Sequence, residues 1–160
     1  MTSAMILRRG EAADAAAIRD LTRAAYARWV PIVGREPRPM TADYDRAVRD
    51  HRFDLLYSDG ALAALIETAE EPDCLLVVNV AVATAFQGRG FGRHLLAHAE
   101  QLAAASGRGR IRLYTNQLMA ANLRLYAALG YGVDGEEILP GGVAVHMSKA
   151  IRGGLADATL

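Results

Sequence analysis

The chain has 160 residues, enough for one domain whose buried core needs no disulfide or metal ion. Its 18 basic and 18 acidic side chains balance, which argues against a global electrostatic field that would recruit nucleic acid or an anionic membrane. The single cysteine, Cys74, excludes a disulfide framework, and no apolar run reaches the length of a membrane span, so we expect a soluble, cytoplasmic protein.

The first half of the chain predicts a strand, two helices and a hairpin. The predicted elements are a strand over 4–10, a helix over 11–29, a loop with three prolines over 30–40, a helix over 42–51, and paired strands over 53–58 and 61–69. Asp14 and Thr41 are suited to cap the two helices, because their side-chain oxygens can accept backbone N–H groups. The Asp59–Gly60 pair is typical of a tight hairpin turn.

The second half predicts a central strand and then alternating helices and strands. Its predicted elements are a strand over 74–85, a helix over 90–107, a strand over 110–115, a helix over 118–130, and strands over 131–139 and 143–151. The strand over 74–85 is apolar on both faces, which indicates the centre of a sheet. The sum is a single α/β domain over 1–150 with a mixed sheet, followed by a flexible tail over 151–160.

The two helices of the second half carry patterns whose burial can be predicted. In the last helix we expect one apolar stripe to face the core, formed by Leu118, Ala121, Leu125 and Leu129. In the helix before it, His94 and His98 are one turn apart, a spacing that can bind zinc. Because the sequence supplies no obvious third ligand, we interpret both as solvated surface histidines and expect no metal site.

A glycine-rich turn, FQGRGFGRHLL, follows the predicted central strand. Gly88, Gly90 and Gly92 clear side chains from the start of the next helix, whose unpaired N–H groups and dipole attract anions. Arg89 and Arg93 can flank a bound phosphate. A tight turn with no ligand is the alternative. The glycine spacing differs from the dinucleotide fingerprint G-x-G-x-x-G, and no Lys-Ser or Lys-Thr follows to make a P-loop.

The stretch VAVATAFQGRGFGRHLLAHAE resembles the acetyl-CoA-binding core of the GNAT superfamily of N-acetyltransferases. Gln87, Gly90 and Gly92 satisfy that family's signature, which is Gln or Arg, two residues, Gly, one residue, then Gly or Ala. A second family motif, Tyr-x-x-x-Gly-Tyr, is present as YAALGY from Tyr126. The resemblance covers about residues 5 to 150. It implies the GNAT (acyl-CoA N-acyltransferase) fold, which has a mixed, mostly antiparallel central sheet flanked by helices.

The resemblance also implies a cofactor and the residues that hold it. The cofactor is acetyl-CoA, with coenzyme A as a product; its pyrophosphate would lie on the amides of the glycine turn, and its pantetheine arm would pair with the central strand. The implied cofactor-binding residues are Val80, Ala81, Val82, Gln87, Gly88, Arg89, Gly90, Phe91, Gly92, Arg93 and Asn122.

The resemblance implies that Tyr126 is the catalytic residue, because it corresponds to the family tyrosine that faces the coenzyme sulfur. Its hydroxyl could donate a proton to the departing thiolate. Asn122 is four residues earlier, on the same helical face, and could contact pantetheine or remain in solvent. Relatives often have an asparagine where this chain has Met119, so helix contacts to the coenzyme are less well defined than those of the glycine turn.

The base that deprotonates the acceptor amine has no clear candidate. Many relatives place a glutamate on the central strand, where this chain has Asn79, which cannot act as a base. The carboxylates and imidazole on neighbouring predicted strands are Glu67, Glu136, Glu137 and His146. None is singled out by the sequence, and water alone suffices if the amine arrives neutral.

The expected partner is an amine-bearing acceptor, which we place in the first half of the chain. Tyr26, Trp29 and Tyr44 adjoin the proline loop and could wall its pocket, although Trp29 is more typical of core packing. A polyamine, an aminoglycoside, an amino acid and a protein amino group all stay open as acceptors, and so does a homodimer. We expect neither nucleic acid nor a membrane as a partner.

The sequence thus predicts an N-acetyltransferase that passes acetyl directly to an amine, with no covalent enzyme intermediate. The alternative is a non-catalytic, acyl-CoA-binding regulatory module on the same fold, which the missing strand glutamate favours. A nucleotide-binding domain with a different phosphate ligand is a third interpretation, and it would make the Tyr126 motif a coincidence.

Overall fold

The computed structural model describes residues 4–152. Residues 153–160 of the predicted tail lie outside that range. Ile151, the first residue of that tail, packs against the core, and its N–H donates to the carbonyl of Gly109 (2.9 Å). No helix within the described range combines the length and the hydrophobicity needed to cross a membrane.

In the described part of the chain, seven strands form one sheet. They are β1 (Met5–Arg9), β2 (Arg52–Ser58), β3 (Ala61–Glu70), β4 (Leu75–Val82), β5 (Arg110–Asn116), β6 (Gly132–Leu139) and β7 (Gly142–Ala150). Their order in the sheet is β1-β2-β3-β4-β5-β7-β6, and only the pair β4–β5 is parallel. The mixed, mostly antiparallel sheet and the central place of β4 are confirmed.

Within residues 4–152, six α-helices accompany the sheet. They are α1 (Ala15–Tyr26), α2 (Val30–Val33), α3 (Arg38–Thr41), α4 (Tyr44–Asp50), α5 (Phe91–Ala105) and α6 (Ala120–Ala128). Short 3-10 turns are formed by Ala12–Asp14, Ala27–Trp29 and Thr84–Phe86. The order of elements matches the predicted order except that α2 and α3 are additional.

The prediction that 30–40, the proline segment, is only a loop was wrong. It contains α2 and α3, each a single turn, with Pro31 and Pro39 in their first turns. Proline is tolerated there because the N–H it lacks would have no partner within the helix. The prolines therefore limit helix length in this segment without preventing helix formation.

The predicted helix caps also differ from the structure. Asp43, and not Thr41, caps α4, since its carboxylate accepts the N–H of Arg46 (3.2 Å). Thr41 is instead the last residue of α3, which the sequence did not predict. Asp14 caps the preceding 3-10 turn, where its carboxylate accepts the N–H of Glu11 (2.7 Å).

The sheet is covered on both faces, and β4 contributes to both cores. On one face, α5 buries Leu95 and Leu96 in a cluster that includes Val77. On the other face, α1 buries Ile18 in a cluster that includes Ala81. Covering both faces leaves the ends and edges of the sheet as the places where a ligand can enter.

Of the four residues predicted for the apolar stripe of the last helix, only Leu129, which directly follows α6, packs against the core cluster. Leu118 is 49% exposed and precedes the helix, and Ala121 is exposed. The side of α6 that packs on the core carries Leu123, Tyr126 and Leu129. Since this helix is apolar on nearly every side, its sequence does not determine which side faces inward.

Candidate active site

The turn between β4 and α5 depends on two glycines in the left-handed region. Gly88 has φ 79°, and Gly90, immediately before α5, has φ 82°. A Cβ on either would meet nothing within 4 Å, so the backbone conformation, and not crowding, favours glycine. Among the described residues, the first N–H of α5 with a main-chain partner is that of His94, which donates to the carbonyl of Gly90 (3.0 Å). The preceding N–H groups can therefore bind an anion, and the helix dipole favours it.

Three arginines surround this turn. Arg93 is exposed in the first turn of α5, and the guanidinium of Arg89 lies over the Phe86 ring, 5.3 Å from its centroid. Arg28 donates to Oε1 of Gln87 at 3.4 Å. None of the three forms an ion pair with a carboxylate in the described part of the chain. The turn is thus locally cationic, and Arg28 is a contributor that the motif did not reveal.

A gap opens between β4 and β5. The two strands pair only at their beginnings, where Leu75 is opposite Ile111 and Leu76 is opposite Arg112. Beyond these residues β4 continues to Val82 beside β3 alone. The second half of β4 consequently has one main-chain edge free of strand partners, as the family resemblance implies.

That edge of β4 is partly satisfied by side chains. The carbonyl of Val80 accepts the hydroxyl of Tyr26 (3.3 Å), and the carbonyl of Val82 accepts Nε2 of Gln87 (3.1 Å). Both carbonyls point into the gap, because main-chain groups alternate between the two sides of a strand. Ala81 lies between them, and its main-chain groups accordingly face β3.

A cavity of about 360 Å³, here the glycine-turn cavity, occupies this gap and reaches the turn. Twelve residues had been predicted for the cofactor and its chemistry, and all except Arg89 line the cavity: Val80, Ala81, Val82, Gln87, Gly88, Gly90, Phe91, Gly92, Arg93, Asn122 and Tyr126. Arg28 and Trp29 also line it. The structure thus brings a contiguous stretch of sequence and one helix face together at a single cavity.

Tyr126 is half-buried in the wall of this cavity. Its ring packs edge-on against Tyr131, with centroids 6.0 Å apart. Burial raises the pKa of Tyr126 to about 12, so its hydroxyl carries a proton at neutral pH. Asn122, one turn earlier, contacts Sδ of Met119 at 3.6 Å through its Nδ2. The hydroxyl of Tyr126 is therefore available as a proton donor inside the cavity.

A second cavity, of about 530 Å³, lies beneath the proline segment and is here the proline-segment cavity. Its walls come from the segment and α4, from β3, β4 and β5, and from the β6–β7 hairpin. Tyr44 lines it, is buried, and donates to the carbonyl of Pro39 (2.6 Å). Trp29 does not line it. Of the three residues predicted for the acceptor, Tyr26 and Tyr44 belong to this cavity.

Tyr26 is the one lining residue that the two cavities share. Its hydroxyl donates to Oδ1 of Asn79 at 2.9 Å. Burial raises the pKa of Tyr26 well above its ordinary value, and the nearby Tyr126 raises it further. Because Tyr126 is in the wall of the glycine-turn cavity, the two cavities approach each other at this pair of tyrosines.

A buried carboxyl and an imidazole form a pair in the proline-segment cavity. Glu67 of β3 is 4% exposed, and its Oε2 is 2.7 Å from Nδ1 of His51. Burial raises the pKa of Glu67, while the hydrogen bond and charge of His51 oppose that rise. The sequence had offered Glu67 only as one candidate among four, and it had not indicated His51.

The other three candidate bases lie outside both cavities. Glu136 is exposed on β6. Glu137 and His146 pair with each other across β6 and β7, with Oε1 and Nε2 2.9 Å apart. Their position gives them no access to a group held at the junction of the cavities.

The interpretation of both helix histidines as solvated was wrong for one of them. His94 is exposed, but His98 is half-buried, with Nε2 3.5 Å from Oδ2 of Asp54. Asp54 is buried beneath α5 and also pairs with Arg52 (3.0 Å). No group of three or more potential metal-ligating side chains occurs within residues 4–152.

Comparison with known proteins agrees with the family resemblance seen in the sequence, and the match includes both cavities' central strand, the glycine turn and α6. The profile described as acetyltransferase (GNAT) family matches residues 16–131. Over 69 residues the chain is 42% identical to N-alpha-acetyltransferase 80 of Mus musculus. That alignment covers 43% of this chain and 21% of the relative, so the chain matches about a fifth of the length of that curated protein.

Solved structures share the fold at low sequence identity. The PaiA N-acetyltransferase from Thermoplasma acidophilum, in complex with coenzyme A, has a TM-score of 0.76 at 16% identity, over 92% of this chain and 99% of that one. The ribosomal-protein-S18-alanine N-acetyltransferase from Escherichia coli has a TM-score of 0.75 at 21% identity, over 93% of this chain and 95% of that one. These similarities establish the architecture.

Proposed function

The chain belongs to the acetyltransferase (GNAT) family, and we propose that it transfers the acetyl group of acetyl-CoA directly to a primary amine. The observation that carries this proposal is the arrangement of the two cavities. The glycine turn and Tyr126 line one cavity, a second cavity of about 530 Å³ lies beside it, and the two share Tyr26. Both substrates could then be bound at once.

The glycine-turn cavity suits the phosphates and the arm of coenzyme A. The N–H groups at the start of α5 and the side chains of Arg28, Arg89 and Arg93 would bind the phosphates. The free edge of β4 would pair with the amides of the pantetheine arm, in the manner of an added strand. In that pairing the arm takes over the hydrogen bonds that Tyr26 and Gln87 now make to β4. Bound acetyl-CoA supplies an activated acyl thioester.

Tyr126 is the proposed acid. Since its pKa is raised to about 12, it stays protonated through the pH range in which proteins are assayed. Its hydroxyl can donate that proton to sulfur as the carbon–sulfur bond breaks, which converts a poor leaving group into a thiol. Asn122, one turn away, would contact the arm and hold it against α6.

The proline-segment cavity favours an amine on an apolar body. Much of its lining is apolar, from residues such as Val33, Ala47 and Val143. Arg35 and Arg38 line it too, and neither pairs with a carboxylate in the described range. The three carboxylates of the lining, Asp43, Asp50 and Glu67, are matched by Arg35, Arg38 and Arg46. The cavity therefore has no excess of acidic groups to attract polyamines and aminoglycosides, which are polycations.

Two similar proteins are named N-alpha-acetyltransferase 80 and ribosomal-protein-S18-alanine N-acetyltransferase. Their names support an α-amino group of a peptide or protein as the acceptor that we propose for this chain.

The test combines binding and turnover. Acetyl-CoA at one hundred times its Kd adds about 2.7 kcal/mol to stability, which for a domain of this size raises Tm by about 5 to 10 °C. ATP serves as the control for phosphate binding alone. Release of free thiol is then measured with a peptide that has a free apolar N-terminus, the same peptide blocked at its N-terminus, spermidine and an aminoglycoside.

We expect a Tm rise with acetyl-CoA, none of similar size with ATP, and thiol release with the free peptide only. Stabilisation without release for any amine would favour a binding module that has lost turnover. An equal response to ATP would instead favour a nucleotide ligand. Faster release with spermidine than with the peptide would contradict the proposed acceptor class.

A further inference from the structure

The pair formed by His51 and Glu67 has the geometry of a catalytic dyad. A carboxylate can only accept hydrogen bonds, so Nδ1 of His51 donates to Oε2 of Glu67 across 2.7 Å. The neutral ring then presents Nε2 as an acceptor, and no hydrogen bond to Nε2 occurs among the residues that the structure describes. The His51 side chain is 35% exposed, whereas that of Glu67 is 5% exposed.

Both side chains line the proline-segment cavity, where the acceptor amine is proposed to bind. They come from different elements: His51 follows α4 directly, and Glu67 is on β3 opposite Asn79 of β4. The half-buried imidazole, which solvent still reaches, is thus hydrogen-bonded to a carboxylate that solvent hardly reaches. This arrangement leaves one partner to exchange protons with a ligand and the other to orient it.

Asn79, opposite Glu67 on β4, has a structural role. Its Oδ1 accepts from Tyr26 at 2.9 Å, and its Nδ2 lies 3.4 Å from Oγ1 of Thr22 and 3.5 Å from the hydroxyl of Tyr44. Its side-chain amide is thus engaged with two tyrosines and Thr22 at the junction of the cavities. Because an amide is also not a base, Asn79 does not accept the proton of the amine.

We propose that His51 is the general base of the transfer and that Glu67 positions it. This inference rests on the proposed function and names the residue that completes it. Nε2 takes a proton from the ammonium group of the acceptor, directly or through one water, and the carboxylate of Glu67 stabilises the imidazolium that results. His51 is then the catalytic residue and Glu67 the positioning residue.

The protons and bonds of the step balance. The first amine proton goes to Nε2 and from there to solvent. The neutral amine forms a bond to the acyl carbon while the carbon–sulfur bond breaks, and sulfur takes the proton of Tyr126. The second amine proton, lost as the amide forms, restores the hydroxyl of Tyr126. The products are the acetylated amine, the thiol and one proton.

The charged and titratable groups around the dyad come from several elements. The other groups that line the cavity are Tyr26, Arg35, Arg38, Asp43, Tyr44, Arg46, Asp50 and Tyr114. Asp43 caps α4, and Arg46 pairs with Asp50 at 3.2 Å, so these three are engaged with one another. The charge of Glu67 raises the pKa of Tyr26 and of Tyr44 as a lesser cause after burial, which places the carboxyl near both hydroxyls.

The experiment compares the pH dependence of kcat/KM in the wild type and in His51→Gln, with two peptides whose α-amines differ in pKa. The wild type should lose activity as pH falls, because the protonated dyad no longer takes the ammonium proton. Above the pKa of the amine itself the acceptor is already neutral, so the rate should cease to depend on the dyad. The inflection due to the amine shifts in pH between the two peptides, because their α-amines differ in pKa. The inflection due to the dyad stays at the same pH for both. His51→Gln should lower kcat/KM about 100-fold near neutral pH and abolish the inflection due to the dyad.

Three further measurements make the test specific. His146→Gln breaks the other histidine–glutamate pair, which lies outside the cavities, and should keep the wild-type profile. Glu67→Gln should lower kcat about tenfold while the dyad's part of the profile shifts. Added imidazole should restore activity to His51→Ala, which serves as the second variant if His51→Gln does not fold.

The outcomes separate the two proposals. A wild type that neither binds acetyl-CoA nor releases thiol overturns the proposed function and this inference with it. A wild type that turns over, together with a His51→Gln variant of equal activity and equal pH profile, overturns the inference alone. Unchanged affinity for acetyl-CoA in His51→Gln is expected in either case.

Discussion

The glycine-turn cavity and the proline-segment cavity are built in different ways. The first takes most of its lining from one continuous stretch, residues 80–93, and from one face of α6. The second draws on the proline segment, α4, three neighbouring strands and a hairpin near the end of the chain. A contiguous site can be predicted from a motif, whereas a dispersed site becomes visible only when the chain has folded.

The two cavities also differ in the groups they offer a ligand: main-chain groups in one and side chains in the other. The glycine-turn cavity offers main-chain N–H groups, a strand edge and a helix dipole, which depend on backbone conformation. The proline-segment cavity offers side chains such as Glu67, His51 and Tyr44, whose roles depend on neighbours distant in sequence. Substitutions in one cavity or the other should therefore separate cofactor binding from acceptor chemistry.

Gly90→Glu should have the largest effect, and it should be confined to the glycine-turn cavity. A residue other than glycine at φ 82° costs about 1 to 2 kcal/mol, and the new carboxylate would repel the phosphates. We expect affinity for acetyl-CoA to fall at least about 100-fold in calorimetry. Gly107→Glu is the matched control, because Gly107 has φ 73° and open space around it but lies at the other end of α5. Equal losses of affinity in the two variants would contradict the site.

Tyr126→Phe should act on turnover and leave binding nearly intact. Loss of a proton donor typically lowers the rate about 100-fold, while the ring keeps its packing against Tyr131. The measurement is kcat from thiol release, with the Kd of acetyl-CoA alongside. Tyr131→Phe is the control, since its buried hydroxyl has no hydrogen-bond partner among the described residues. Wild-type kcat in Tyr126→Phe would remove this residue from the mechanism.

Arg35→Ala should have the smallest effect, and only on the acceptor. The Arg35 guanidinium lies against Gly141 of the β6–β7 hairpin, so closely that a Cβ on this glycine would overlap it. Its removal should raise KM about fivefold for a peptide with an acidic side chain after its N-terminus, the size of one exposed charge contact. Affinity for acetyl-CoA should not change. Arg19→Ala, at an exposed position on α1, is the control; an equal rise in KM there would make the effect non-specific.

The sequence predicted the fold and family well because their signals are local. The apolar strand that became β4, the Asp59–Gly60 turn and the spacing of the glycines each specify a conformation within a few residues, and the family match and the sheet order confirm them. The wrong predictions of secondary structure and burial also concern short segments. Two single-turn helices contain prolines in their first turns, where the sequence predicts a loop, and α6 is apolar on nearly every side, so its sequence does not fix which side faces inward.

The base could not be predicted because its two members are meaningful only as a pair. His51 and Glu67 are 16 residues apart, and each alone is typical of a surface residue. The turn of α4 into β2 and the pairing of β2 with β3 bring them together. Two lining residues of the glycine-turn cavity were missed for the same reason. No motif indicated Arg28, and the sequence placed Trp29 beside the proline loop instead.

The most direct test of the two-cavity account is hydrogen–deuterium exchange with and without acetyl-CoA, which needs no knowledge of the acceptor. If the cofactor binds in the glycine-turn cavity, exchange should be slower in peptides that cover 80–93 and 119–129 and unchanged in peptides that cover 33–51 and 139–146. Slower exchange confined to the proline segment, α4 and the β6–β7 hairpin would contradict it, because the cofactor would then occupy the cavity assigned to the amine.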